Sequence, residues 1–277
     1  MEAVPAFTRF DLRKVPHALF SIFFPDECRV CETPLHGYTR VPVCAGCLSA
    51  PSALSADYFC AQCKTPFQNR FPLDLEGRCA LCRSGSRGFD AAYCFGFYEG
   101  RLRELIHLFK YGGMKPLAKP LGEFLSRALP LDERFDAVIP MPLHWRRRFE
   151  RGFNQADLIA TQVARRRKIP VLRVVRRVRA TSTQTGLTNA KRRQNVNGAF
   201  RVRRGRPLEG LRILLVDDVM TTGATASACG SVLKRAGAKS VTLLAVARVD
   251  RRAAQPSAGQ YQTAQYQTAL HKTMGAS

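Results

Sequence analysis

Eight of the ten cysteines in this 277-residue chain fall into four Cys-x-x-Cys pairs, all before residue 83: Cys28/Cys31, Cys44/Cys47, Cys60/Cys63 and Cys79/Cys82. Each pair puts two thiolates on one tight turn, and two such turns complete the tetrahedral sulfur shell that a structural zinc ion prefers. Gaps of 12 residues after Cys31 and 15 after Cys63 have zinc-ribbon spacing. An internal repeat indicates the pairing: Cys28-Arg-Val-Cys31-Glu-Thr-Pro34 returns as Cys60-Ala-Gln-Cys63-Lys-Thr-Pro66, and each copy is followed by its own second turn. The spacing therefore predicts two consecutive ribbons, not a cross-brace. Competing readings are disulfides, which need an oxidising compartment, an iron–sulfur cluster, and a redox pair lacking its βαβ context. Short loops rich in Pro and Gly bury too little surface alone, so the metal serves as their core rather than as a DNA reader. Four thiolates and one divalent ion leave each site at −2, lowering the formal charge from +23 to +19. Cys94 and Cys229 lie outside any pair and read as small buried residues.

At about 150 residues per domain the length suggests about two domains. A hydrophobic share of 45% and a charged share of 23% exclude wholesale disorder and collagen-like character. The longest apolar stretch, Ala18 to Phe24, is interrupted by Ser21 and is far short of the roughly 20 residues a bilayer needs. It runs into Pro25-Asp26-Glu27-Cys28 with no small-residue cleavage site, so the expectation is a cytoplasmic protein without stable membrane insertion. Charge is uneven: between Arg146 and Arg206 stand 19 Lys or Arg and two acids. That excess favours polyanionic partners, phosphorylated substrates or nucleic acid, unless it is simply a solvated basic face.

After the Ser84-Gly85-Ser86-Arg87-Gly88 boundary the pattern becomes α/β. Strands are expected over 91–98, 136–139, near 171–178, 211–216 and 240–246. Helices are expected over 101–111, where Leu102, Leu105, Ile106 and Phe109 share one face, and over 116–128, 154–167 and 223–235. A basic loop should follow Pro140-Met-Pro142. Such alternation means a mostly parallel sheet flanked by helices, with ligands at the carboxyl ends of its strands. The boundaries read as an amphipathic segment 1–27, a small Cys-rich double ribbon 28–88, an α/β domain 89–250 and a disordered tail 251–277.

One such strand end carries the chemistry: Ile213-Leu-Leu-Val-Asp217-Asp218-Val-Met-Thr221-Thr222-Gly223-Ala224-Thr225. A buried strand delivers two adjacent carboxylates, and a Thr/Gly loop opens a helix at once. Gly223 lets backbone approach an anion, amides of residues 221 to 225 face the helix N-terminus, and three threonine hydroxyls add donors. Carboxylates beside a phosphate cradle need a polyol or a metal as partner, and a ribose 5-phosphate meets both requirements. There is no G-x-x-x-x-G-K-[ST] and no G-x-G-x-x-G, which removes the nucleotide-binding rivals.

In this stretch the chain resembles the type I phosphoribosyltransferases, and more closely the ComF competence family, including its GntX-like members. The resemblance runs from about Pro25 to Val249. It includes Phe-Pro-Asp-Glu-Cys28, Phe109-Lys110-Tyr111-Gly112-Gly113, Pro140-Met-Pro-Leu-His144-Trp145-Arg146-Arg147-Arg148, Arg151-Gly152-Phe153-Asn154-Gln155, Gln184-Thr-Gly-Leu187 and Arg193-Gln-Asn195-Val196. It implies a type I phosphoribosyltransferase fold that binds 5-phosphoribosyl 1-diphosphate (PRPP) with Mg²⁺, in a protein linked to DNA uptake and transformation. It implies that Asp217 and Asp218 contact the ribose 2′ and 3′ hydroxyls and serve catalysis, and that Thr221, Thr222, Gly223, Ala224 and Thr225 hold the 5-phosphate. It further implies that the loop after Ile139 receives pyrophosphate, with Arg146, Arg147 and Arg148 as candidate charge partners.

Two functions follow. The first is phosphoribosyl transfer to an acceptor for which the sequence has no residue-level code; Lys110, Tyr111 and Trp145 are weak candidates for contacting it. Arg179 to Arg193 would be the loop that closes over the site. The second, which the ComF resemblance implies, is handling of single-stranded DNA alongside DNA-uptake or recombination proteins, with the sugar-phosphate site as sensor or vestige. Trp145, Phe149 and Phe153 stand among arginines, and Trp145, Arg151, Arg192 and Arg193 are the nucleic-acid candidates. Phe10 to Phe24 should form an amphipathic helix; oligomeric state has no sequence signal.

Overall fold

In the computed structural model the described residues are 27–35, 40–85, 87–179, 198–203, 205 and 208–250. The helix expected near the N-terminus, nearly all of the closing loop, including Arg192 and Arg193, and the tail lie outside them. The cysteine-rich region contributes α1 (Ala45–Ser49), β1 (Tyr58–Phe59), β2 (Pro66–Phe67) and α2 (Ala80–Arg83). Then come β3 (Ala91–Phe97), α3 (Gly100–Tyr111), α4 (Ala118–Ala128), β4 (Ala137–Pro140), α5 (Trp145–Arg151), α6 (Gln155–Arg167) and the hairpin pair β5 (Val175–Arg177) and β6 (Phe200–Val202). The chain closes with β7 (Arg212–Met220), α7 (Ala224–Arg235) and β8 (Ser240–Arg248).

Strands β3, β8, β7 and β4 form one sheet in that order, every neighbouring pair parallel. Covered on both faces, its central strand reads apolar without alternation: Ile213, Leu214, Leu215 and Val216 are fully buried. Each contributes about 1.5–3 kcal/mol of burial, which fixes the strand that carries the acids. Ile213 and Leu215 pack with α7 and the β5–β6 hairpin, whereas Leu214 and Val216 pack with α3, α4 and α6. The cysteine-rich region divides the same way. Cys28 and Cys47 join the α3–α4–α6 layer, and Cys60, Cys63, Cys79 and Cys82 join the α7 layer. The second of these contacts is tight: Gly88 N–H donates to Ser227 Oγ at 2.9 Å, and a Cβ on Gly230 would strike the Gly88 carbonyl.

Three local expectations change. Residues 145–151 form a helix, not a loop, because His144 caps its start and Gly152 ends it at φ 72°. Strand β7 continues four residues past Val216, since β8 offers partners as far as Met220↔Arg248. Near 171–178 only β5 is a strand, and its antiparallel partner β6 was not anticipated. Among the described residues no helix is long and apolar enough to cross a membrane.

Candidate functional site

A cavity of about 630 Å³ opens at the carboxyl end of the sheet. Tyr98 after β3, Met141 and Leu143 after β4, Val249 after β8 and the end of β7 all line it. Asp217, Asp218, Thr221, Gly223 and Thr225 share that lining with four cations, Lys110, Arg147, Arg151 and Arg177. Two acids against four cations make a pocket suited to an anion of higher charge than the acids repel.

Neighbouring strand residues face opposite ways, and the acid pair obeys this. Asp218 meets the α3 layer, where Lys110 Nζ lies 2.8 Å from its Oδ1. Asp217 meets the α7 layer, close to Arg177 and Cys229. Burial, and then the negative Asp218, push the Asp217 carboxyl up to about 7. The Asp218 amide, donating to Asp217 Oδ1 at 2.8 Å, opposes this together with Lys110 and Arg177. Its surroundings therefore favour the protonated form more than those of an exposed aspartate do. Burial lowers the Arg177 pKa, as does Arg147, while Asp217 supports its charge; the guanidinium lies 5.5 Å over the Phe200 ring.

Beyond the acids the chain bends through residues 221–223 and enters the 12-residue α7. Gly223 sits at φ 77°, where L side chains are strained, and a Cβ there would come within 2.9 Å of Met220 Cε. Thr222 Oγ1 accepts from the Ala224 amide at 3.4 Å. Thr222 and Ala224 line a second cavity of about 300 Å³ on the other side of the loop, and Thr221 lines both.

The arginine cluster separates. Arg147 lines the cleft; Arg146 and Arg148 are not among its lining residues, and Arg146 lies 5.6 Å over the Trp145 ring. Arg151, expected on a nucleic-acid surface, lines the cleft, donates to Gln155 Oε1 at 3.2 Å and covers the Tyr111 ring. Trp145 and Phe149 are 67% and 89% exposed, but Phe153 is buried against Phe109. Sequence reasoning passed over Arg177 and Gln155. Arg177 has a readable signal: on β5 it shares the inward face of Val175 while Arg176 faces solvent. Gln155 had only its place in a family-like stretch, without a role.

The eight paired cysteines form two groups, Cys28/Cys31/Cys44/Cys47 and Cys60/Cys63/Cys79/Cys82, each with all sulfurs within 4.8 Å of one another. A tetrahedral ion with 2.3 Å bonds needs sulfurs about 3.8 Å apart. Cys31–Cys44, Cys60–Cys82 and Cys63–Cys79 stand at 3.6, 3.7 and 3.7 Å. Amides of Cys44 and Cys79 donate to Cys28 Sγ and Cys60 Sγ at 3.3 Å, as thiolate ligands require. Both groups fit a four-sulfur metal ion. Cys94 and Cys229 are buried apart from them, and burial pushes the Cys94 thiol up to about 12.

Residues 151–272 match the family model of the phosphoribosyl transferase domain. Over 234 residues the chain is 31% identical to competence protein F of Haemophilus influenzae, covering 82% of this chain and 98% of that one. It is 29% identical to the DNA utilization protein YhgH of Escherichia coli, over 81% and 97% of the two chains. Competence protein ComFC of Bacillus subtilis is 28% identical over 54% of this chain and 61% of its own. Among solved structures, a phosphoribosyltransferase from Corynebacterium diphtheriae is similar at 24% identity and a TM-score of 0.32, covering 53% of this chain and 78% of that one.

Proposed function

The chain belongs to the competence protein F family, and from that premise we propose that its cleft binds PRPP with Mg²⁺ in a protein serving DNA uptake. The single observation behind this is the convergence of both acids, the threonine loop and four cations on one cavity at the sheet's carboxyl end. In this reading Asp217 and Asp218 take the sugar hydroxyls, and residues 221 to 225 take the 5-phosphate at the start of α7. Lys110, Arg147, Arg151 and Arg177 neutralise the diphosphate. Among the described residues no three carboxylates or histidines converge on the cleft, so Mg²⁺ would draw most of its oxygens from the diphosphate. When bound it would stabilise charge on the leaving group.

Transfer would break the bond from C1 to diphosphate oxygen, the diphosphate leaving with the electron pair. The acceptor's lone pair would form the new C1 bond, and the acceptor would give up a proton to solvent or to an ionised carboxylate of the cleft. Each four-cysteine group would hold one structural Zn²⁺. Calorimetry of PRPP with Mg²⁺, followed by pyrophosphate release across a panel of bases and amines, tests the reading. Binding that survives in the Asp217→Asn/Asp218→Asn double variant would sink it.

A second reading has its own observation. The helix bearing Trp145 and Phe149 presents both rings to solvent among Arg146, Arg147 and Arg148, an arrangement suited to stacking splayed bases beside a phosphate backbone. Single-strand affinity should fall with salt, and Trp145→Ala should weaken it by about 1–3 kcal/mol. Parent-like binding by that variant removes the stacking role.

A further inference from the structure

The two four-cysteine groups differ in what covers them. Cys60, Cys63, Cys79 and Cys82 of the second are all buried, none more than 8% exposed. Phe67 and Leu81 pack in the same cluster, and the Cys63 carbonyl accepts the Ala92 amide at 2.9 Å, so β3 closes one side of that group. In the first group only Cys28 and Cys47 are buried; Cys31 and Cys44 are half-buried. These two are also neighbours, with Cys31 Sγ 3.6 Å from Cys44 Sγ. The first group thus offers solvent an adjacent pair of sulfurs, and the second offers none. Cys94 and Cys229, the thiols outside both groups, are buried and do not compete with that pair.

A thiolate that solvent reaches is open to oxidation, and a second thiolate within reach turns the first product into a disulfide. We propose that the first four-cysteine group is an oxidation site for hydrogen peroxide, at which Cys31 and Cys44 join in a disulfide and the metal ion leaves, while the second group keeps its ion. The inference rests on the proposed Zn²⁺ in each group and is independent of what the cleft binds. One thiolate of the pair attacks a peroxide oxygen; the O–O bond breaks and hydroxide leaves with the electron pair, giving a sulfenic acid. The other thiolate attacks that sulfur, the S–S bond forms and a second hydroxide leaves. The two sulfurs lose two electrons, the peroxide gains them, and two solvent protons complete two waters. Cys28 and Cys47 alone do not fill a tetrahedral shell, so the ion passes to solvent. The change reaches one side of the cleft. Arg101 Nη1 donates to the Val30 carbonyl at 3.1 Å, and Cys28 and Cys47 share a cluster with Leu102, Leu105 and Ile106 of α3. Lys110, in the last turn of α3, is the residue paired with Asp218 at 2.8 Å. The 221–225 loop opens α7, in the layer of the second group, and keeps its support.

The test uses the full chain loaded with zinc, its metal content measured first. Fewer than two ions per chain would fail the zinc reading and this inference with it; two ions lost together under peroxide would fail this inference alone. Hydrogen peroxide in small excess, followed with a zinc-binding dye, should release one ion per chain before the second begins to leave. Peptide mapping should then find Cys31 joined to Cys44 and the other cysteines reduced, and hydrogen exchange should rise in α3 and α4 before α7. Dithiothreitol with added zinc should restore the parent state. Cys31→His keeps a zinc ligand but removes one sulfur of the pair, so it should hold both ions under the same peroxide. A disulfide between other residues, earlier oxidation of the second group, or zinc loss from Cys31→His as fast as from the parent overturns the proposal. The parent's disulfide map decides the matter whether or not that variant takes up metal.

Discussion

Asp217 and Asp218 are neighbours in sequence and opposites in environment, because a strand sends successive side chains to its two faces. Asp218 has Lys110 at 2.8 Å; Asp217 has burial and a like charge. A carboxyl whose folded pKa is about 7, against about 4 unfolded, holds its proton more tightly when folded. Its contribution to stability is whole below about pH 4 and is lost as pH rises through about 7. Denaturant titrations of Asp217→Asn should therefore show a smaller loss of stability over that window than the parent. Lys110→Met leaves Asp218 without its cation and should cost about 1–3 kcal/mol. Adding Asp218→Asn to it should recover part of that loss, since no unpaired charge then remains. Recovery of nothing in the double variant would show that Lys110 acts elsewhere.

The strand-to-helix junction at β7 and α7 depends on one backbone conformation. Gly223 at φ 77° needs no Cβ, and one would press on Met220. Gly223→Ala should lower stability by about 1–3 kcal/mol and, on the proposed function, weaken PRPP binding more than mutation of exposed Thr221 to Ser. Equal effects of the two would argue that loop geometry is not limiting. At the other end of the same contact layer, Gly230→Ala drives a methyl into the Gly88 carbonyl. It should destabilise by about 1–3 kcal/mol, read as a lower denaturation midpoint. The basic segment between Pro142 and Gly152 shows how element type changes exposure. As a helix capped by His144 it turns Arg147 and Arg151 to the cleft and leaves Trp145 and Phe149 outside.

At the scale of the whole molecule the two four-cysteine groups are built into opposite layers of the sheet rather than set beside it. Metal removal should therefore disturb the α/β core as well as the loops that carry the ligands. Cys63→Ser should raise hydrogen exchange first in α7 and at the 221–225 loop, whereas Cys28→Ser should raise it first in α3 and α4. Uniform exchange in both variants would mean the layers unfold as one unit. Either outcome is measurable by mass spectrometry on parent and variant under identical zinc concentrations.

The sequence alone determined the cysteine pairing, the parallel sheet and the acid-and-threonine strand end, because each is written in local spacing: two-residue turns, apolar runs and a glycine where a helix begins. It gave only the alternation of β5 to set Arg177 apart from its basic neighbours and placed Gln155 in a family-like stretch without a role, since burial depends on what packs above a residue. Which arginine enters the cleft, which layer receives each cysteine group, and the ion pair between Lys110 and Asp218 were decided by tertiary structure. Residues 110 and 218 are brought together only when α3 packs on the sheet, and no local pattern encodes a contact between segments so far apart.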